Sequence, residues 1–149
     1  MQKGGYTNKS VMKILTTVLI FISFNLNANE EKLREWAYIN TIDDMLGCSA
    51  YYFISAIGLQ RANNSEHEQV MNHSDKLAFM AAFLAENIDI KKETLDSKLK
   101  LHINNQLKII DNNYNNLSLL TIEYLEPCVD WFNDNFKSRI LYWVQKYPN

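Results

Sequence analysis

The sequence contains little glycine and proline. It has four glycines and two prolines among 149 residues, and two of the glycines lie before residue 28. Glycine and proline terminate helices and form the tight turns of β-hairpins, so their scarcity disfavours a protein made of many short strands. We therefore predict an all-α fold made of long helices.

Residues that commonly carry chemistry are also few. There are three histidines, and no serine or cysteine belongs to a recognisable nucleophile motif such as G-x-S-x-G. The weak candidate for a soft metal ion is the i, i+4 pair His67 and Met71, for which a solvated histidine beside a methionine at the edge of the core is the preferred interpretation. The sequence thus indicates no cofactor, and an enzyme would need a site assembled from distant residues.

No apolar run is long enough to span a bilayer comfortably, which takes about 20 residues. The run Ile14–Phe24 has 11 residues, follows Lys13 and precedes the small residue Ala28, which is typical of a secretory signal peptide. We predict that residues 1–28 are a removed leader, with Met12 as an alternative start. Residues 29–149 then form a single helical domain of an exported protein, periplasmic or secreted, without membrane contact.

The charge balance is mildly acidic. The chain has 15 basic and 17 acidic residues, and removing residues 1–28 takes away three lysines and no acid, so the formal net charge changes from −2 to −5 (12 − 17). An acidic chain lacks the positive surface that phosphate backbones require. Nucleic-acid binding is therefore not expected.

Two cysteines remain after the leader, Cys48 and Cys128. An even pair in an exported protein predicts a disulfide. The bond would close a loop of 80 residues (128 − 48) and stabilise the fold by roughly 4 kcal/mol in the chain-entropy model.

Apolar residues at helical spacing indicate about four main helices, clipped together by the disulfide. The first covers Asn29 to Ala62, with an alternative break near Thr41, and its uncharged segment Met45–Gln60 predicts a buried central helix. The second begins at a capping box formed by Ser65 and Glu68.

The third predicted helix is capped by Thr94 and continues from Leu95 to Leu117 at near-heptad spacing. Its asparagine-rich end, Asn112–Asn116, is attributed to the base composition of the gene. Pro127 then either breaks the pattern or begins the last helix. The core stripe of that helix is Val129, Phe132, Phe136, Ile140, Trp143, Val144 and Tyr147.

Two aromatic residues of the last predicted helix point about 100° or more away from its core stripe, Trp131 and Tyr142. Exposed aromatic residues mark partner surfaces, and Phe79 is a third candidate. The alternative is a core rich in aromatic residues. We predict that Trp131 and Tyr142 bind a partner protein.

The segment Cys48–Tyr52, with the sequence Cys-Ser-Ala-Tyr-Tyr, resembles a Cys-Ala-Ala-Tyr-Tyr stretch of small exported helical bacterial proteins of unassigned function. This resemblance implies no activity. The leading interpretation is a non-enzymatic exported protein that binds another protein, as an immunity, inhibitor or accessory factor. The alternatives are a carrier with a small ligand or metal between its helices, and an enzyme with a spatially assembled site.

Overall fold

The computed structural model describes the backbone of residues 8–133 and 136–148, and the side chains of residues 29–131 and 138–148. In this part of the chain there are five α-helices, one short 3-10 helix and no strand. The α-helices are α1 (Asn8–Arg61), α2 (His67–Glu86), α3 (Lys92–Ile109), α4 (Leu117–Asn133) and α5 (Phe136–Gln145), and the 3-10 helix is Tyr114–Asn116. The predicted all-α fold is confirmed.

The chain divides into two compact units, residues 1–34 and residues 35–149. The side chains of the predicted leader, residues 1–28, lie outside the described residues, so the signal peptide and the cleavage after Ala28 stay predictions. Among the described residues, none of the helices is both long and apolar enough to cross a membrane. The core and the disulfide belong to the second unit.

Helix α1 is central to the second unit because three successive residues, Gly47–Ser49, each contact a different helix. Successive residues on an α-helix point about 100° apart, so three neighbours can pack around one short segment. The contacts are a hydrogen bond from Gln106 of α3, a disulfide to Cys128 of α4 and a hydrogen-bonded pair with Ser74 of α2. The uncharged segment Met45–Gln60 is buried or half-buried at every residue from Met45 to Leu59, and only Gln60 is exposed, which confirms the predicted central helix.

The polar contacts of this central segment are buried and reciprocal. The Ser49 hydroxyl donates to the Ser74 carbonyl at 3.0 Å, and the Ser74 hydroxyl donates to the Ser49 carbonyl at 2.9 Å. The Gln106 side-chain amide donates to the Gly47 carbonyl at 2.8 Å. Because a buried polar group without a partner costs about 1–3 kcal/mol, these pairs favour one packing arrangement of α2 and α3 on α1.

Helices α1 and α4 are held together at two points. The predicted disulfide between Cys48 and Cys128 is confirmed, with Cα atoms 5.3 Å apart. At the other point the absence of a side chain at Gly58 allows Leu117 to approach, since an added Cβ would overlap the leucine. The two points are 10 residues apart on α1 (58 − 48) and 11 apart on α4 (128 − 117), in opposite order, so the helices are antiparallel.

The prediction of one helix from Leu95 to Leu117 is wrong, because α3 ends at Ile109. Asp111 and Asn112 adopt left-handed backbone conformations, with φ of 52° and 55°. The amide of Asn112 donates back to the Leu107 carbonyl at 2.8 Å, which ends the helix in a left-handed cap. Aspartate and asparagine tolerate this conformation better than other residues with a side chain.

Pro127 neither ends nor begins a helix, because it lies inside α4. Proline has no amide hydrogen, so the Glu123 carbonyl four residues earlier lacks its usual intrahelical donor. The alternative break near Thr41 is also absent, since Thr41 is buried within α1.

Two predicted caps differ in the structure. Helix α2 begins at His67 with Glu66 at its N-cap and no side-chain cap, so the capping box of Ser65 and Glu68 is wrong. The side chain that binds next to the start of α2 is Asn64, whose oxygen accepts a hydrogen bond from the Glu66 amide at 2.8 Å. Helix α3 begins at Lys92, before the predicted cap Thr94.

Candidate functional site

Helix α4 carries apolar residues on two opposite sides. One side packs into the core through Leu120, Cys128 and Trp131, all of which are buried. The other side faces solvent, with Ile122 82% exposed. Packing into the core explains why a helix is apolar on one side. It does not explain the apolar residues on the second side of α4.

Three of the exposed apolar residues of α4 form a row, which we call the apolar row: Ile122, Leu125 and Val129. The latter two are 42% and 38% exposed. Their spacing of three and four residues places all of them within an arc of about 60° around the helix. The apolar row therefore presents a continuous strip along about two turns of α4.

Each member of the apolar row is followed directly by an acidic residue. These residues, the acidic row, are Glu123, Glu126 and Asp130, and all of them are exposed. One residue along a helix is a rotation of about 100°, so the acidic row lies to one side of the apolar row. Helix α4 contains no lysine, arginine or histidine.

A cleft lies beyond the acidic row, on the side towards α1 and α3. Its volume is about 270 Å³. Glu123 belongs both to the acidic row and to the wall of the cleft, so the two features are adjacent on α4. The other lining residues are Asp43, Asp44, Gly47, Cys48, His102, Tyr124, Pro127, Cys128, Trp131 and Arg139.

Asp43 is held ionised at the edge of the cleft. His102 and Lys98 of α3 both contact Asp43 Oδ1, with the imidazole Nε2 at 3.4 Å and the ammonium Nζ at 2.7 Å. The hydrogen bond from His102 is the largest cause that lowers the pKa of Asp43 to about 2, and Lys98 adds to it against the opposing effect of burial.

The pKa of the neighbouring carboxyl group, Asp44, is shifted in the opposite direction. Burial raises the pKa of Asp44, against the lowering effect of a hydrogen bond that Trp143 Nε1 donates to Asp44 Oδ2 at 2.8 Å. This hydrogen bond ties α5 to α1, and Trp36 packs edge-on against Trp143 with ring centroids 5.5 Å apart. Asp44 thus has a structural role in attaching α5.

Arg139 supplies the fixed positive charge on the wall of the cleft. Its guanidinium lies 5.3 Å from the centre of the Trp131 ring and donates to the Pro127 carbonyl at 2.9 Å. The described residues contain no group of three histidine, cysteine or carboxylate side chains that could hold a metal ion. The cleft thus combines three carboxyl groups and an aromatic wall with one guanidinium.

Comparison with models of protein families, with curated proteins and with solved structures found no match.

The predicted exposure of Trp131 is wrong, because this residue is 5% exposed and belongs to the core. The prediction treated residues 128–147 as one helix with a single core stripe. Helix α4 instead continues through Pro127 and ends at Asn133, and Trp131 faces the same side as the buried Cys128. The side chains of Phe132 and Phe136, which set the predicted stripe, lie outside the described residues.

Tyr142 is 44% exposed, in agreement with the predicted exposure, and its ring packs edge-on against Trp143. Phe79 is also exposed, on α2. His67 belongs to no group of three histidine, cysteine or carboxylate side chains within the described residues, and its Nδ1 lies 2.9 Å from the Asn64 carbonyl. Partner binding by Tyr142 stays a prediction.

The apolar row is the feature that the sequence analysis missed. Its spacing is visible in the sequence as isoleucine, leucine and valine at positions 122, 125 and 129, each followed by an acid. The signal was obscured because Pro127 was expected to separate these positions. The meeting of Asp43 and Asp44 with α3, α4 and α5 depends on the tertiary fold.

Proposed function

We propose that this protein acts by binding another protein through the outer face of α4, without catalysing a reaction. The observation that carries the proposal is the 82% exposure of Ile122 within a row of apolar residues whose helix already fills the core with its opposite side. Contiguous exposed apolar surface is uncommon on soluble monomers and marks interaction sites. The apolar row is the candidate contact.

The position of α4 supports this proposal. The disulfide at Cys128 and the close contact at Leu117 fix α4 on α1 at both ends of the apolar row. A surface that is ordered before binding loses less conformational entropy on association. The apolar row is therefore suited to bind a partner without rearrangement of the helix.

The disulfide is also compatible with an exported protein, since such bonds persist in oxidising compartments. A periplasmic or secreted factor of the immunity, inhibitor or accessory type is the biological role that we propose. Such proteins act by contact with their partner.

The test is affinity capture with purified protein, followed by identification and rebinding of the purified partner. Ile122→Ser together with Val129→Ser should weaken rebinding at least tenfold, as expected for interface anchors, with unfolding free energy changed by less than about 1 kcal/mol. The matched comparison is Phe79→Ser with Phe83→Ser, which removes exposed apolar residues from α2, including the other predicted candidate Phe79, and should leave rebinding unchanged. Equal rebinding by both double variants would show that the apolar row is not the contact.

A second candidate is binding of a small cationic molecule in the cleft, favoured by the three carboxyl groups that line it. Its volume of about 270 Å³ lies just below the range of about 300–1,000 Å³ typical of small-molecule sites. Calorimetric titration with a small organic amine tests it: Glu123→Gln should abolish binding, and no heat with the unmodified protein would dismiss this candidate.

A further inference from the structure

We infer that the partner contacts α4 with a basic amphipathic helix whose apolar stripe is flanked on one side by lysine or arginine. This inference rests on the proposed function, because it specifies the partner of the same surface. It goes further by assigning the chemistry and the secondary structure of the segment that binds.

The shape of the apolar row favours a helix as the contacting element. Ile122, Leu125 and Val129 run along about two turns of α4, a length of about 10 Å. Ridges of side chains on one helix pack into the grooves of another, and a partner helix matches this strip with residues spaced three, four and seven apart. An extended strand would need a row of free backbone groups to pair with, whereas Pro127 leaves α4 with only the single Glu123 carbonyl lacking its intrahelical donor.

Charge decides which kind of helix fits. All three charged residues of α4 are acidic, they are exposed, and they lie on one side of the apolar row. The other carboxylates of the cleft add little to this charge, because Lys98 pairs with Asp43 at 2.7 Å and Arg139 interacts with Asp44. A partner with cations on the matching side gains electrostatic complementarity, whereas an acidic partner meets repulsion.

The same charges disfavour other occupants. A second copy of the chain would bring another α4 with three acids and no base, so the acidic rows would remain uncompensated in a symmetric pair. Anionic lipid surfaces would be repelled by the acidic row, because membrane-binding helices carry lysine and arginine beside their apolar face. These occupants are outcomes of the test.

The probes are two synthetic 18-residue peptides with the same leucine face, one with a lysine polar face and one with a glutamate polar face. Binding to the disulfide-intact protein is measured by fluorescence anisotropy at low and at moderate salt. We expect the lysine peptide to bind at least tenfold more tightly than the glutamate peptide. Raising the salt concentration should weaken that binding, since exposed charges are screened.

Two charge-matched variants show where the attraction originates. Glu126→Lys with Asp130→Lys should weaken binding of the lysine peptide at least tenfold. Glu68→Lys with Glu86→Lys makes the same change of net charge at exposed positions of α2 and should alter it less than twofold. Ile122→Ser with Val129→Ser, which keeps every charge, should also weaken binding at least tenfold.

Several results would overturn the inference. These are no binding of the lysine peptide up to millimolar concentration, equal effects of the two charge-reversal variants, self-association that Ile122→Ser abolishes, or binding to vesicles of anionic lipid. If the apolar variant alone loses the natural partner and the α4 charge reversal does not, the inference fails while the proposed function stands. If neither variant affects that partner, both fail.

Discussion

Removal of the disulfide between Cys48 and Cys128 should cost a large part of the stability of this fold. The bond closes a loop of 80 residues. In the chain-entropy model such a cross-link lowers the entropy of the unfolded chain by about 15 cal/mol/K, which corresponds to about 4.5 kcal/mol at 25 °C. Since small proteins unfold with about 5–15 kcal/mol, roughly a third or more of the total would be lost.

The measurement is urea unfolding followed by far-ultraviolet circular dichroism, with and without reductant. The reduced protein keeps both sulfur atoms in the core, so it isolates the effect of the cross-link. The variant Cys48→Ala with Cys128→Ala also removes two side chains that are 5% and 0% exposed, and it should lose about 1 kcal/mol more through the small cavity. The midpoint of thermal unfolding should fall by on the order of 15 °C in either case.

The expectation fails if the reduced protein is less stable than the oxidised protein by under about 1 kcal/mol. Such a result would mean that α1 and α4 already remain close in the unfolded chain. Loop closure would then not be the origin of the stabilisation, and the packing at Gly58 would have to supply the attachment of α4.

Three further results are expected. Because the pKa of Asp43 is lowered from 3.8 to about 2 in the folded protein, the stability that this group contributes above pH 4 should be lost as the pH falls towards 2. In acid unfolding curves, Asp43→Asn should remove about 1 kcal/mol of this pH dependence, a magnitude already reduced for solvent screening. Ser74→Ala should cost about 0.5–1.5 kcal/mol in urea unfolding, because it removes the buried hydrogen bond from the Ser74 hydroxyl to the Ser49 carbonyl, while the Ser49 hydroxyl keeps the Ser74 carbonyl as its acceptor; a loss below about 0.3 kcal/mol would contradict the pairing. Trp131→Ala should cost about 3–5 kcal/mol and Tyr142→Ala less than about 1 kcal/mol, and the reverse order would place Trp131 outside the core.

The disulfide and the central helix could be predicted because each depends on few residues. Two cysteines allow only one pairing, so Cys48 and Cys128 were identified without knowledge of the fold. The segment Met45–Gln60 has no charge, and such a segment is stable only when other helices surround it.

The boundary between α3 and α4 could not be predicted from apolar spacing. Ile110 is buried and Leu117 half-buried, so the helical pattern continues across a turn that interrupts the helix. The local signal was the run of aspartate and asparagine after Ile110, since these residues tolerate the left-handed conformation of Asp111 and Asn112. Base composition therefore does not account for Asn112, whose left-handed conformation ends α3.

The candidate site was harder to predict because it depends on where α4 begins and ends. Pro127 was expected to break the helix, and a change in the helix ends moves residues between its faces. With α4 running through Pro127, Trp131 joins the core and Ile122 faces solvent. The cleft joins residues up to 96 positions apart (139 − 43), and no local pattern records such a meeting.

The segment of α1 from Asp44 to Ser49 contacts α2, α3, α4 and α5, which has a consequence for the order in which the chain folds. Its contacts with α2, α3, α4 and α5 close loops of 25, 59, 80 and 99 residues. The entropy of closing a loop grows with its length, by about 1.2 kcal/mol between the shortest and the longest of these. We expect the α1–α2 hairpin to form first, and the later helices to dock in chain order on a segment that is already half enclosed.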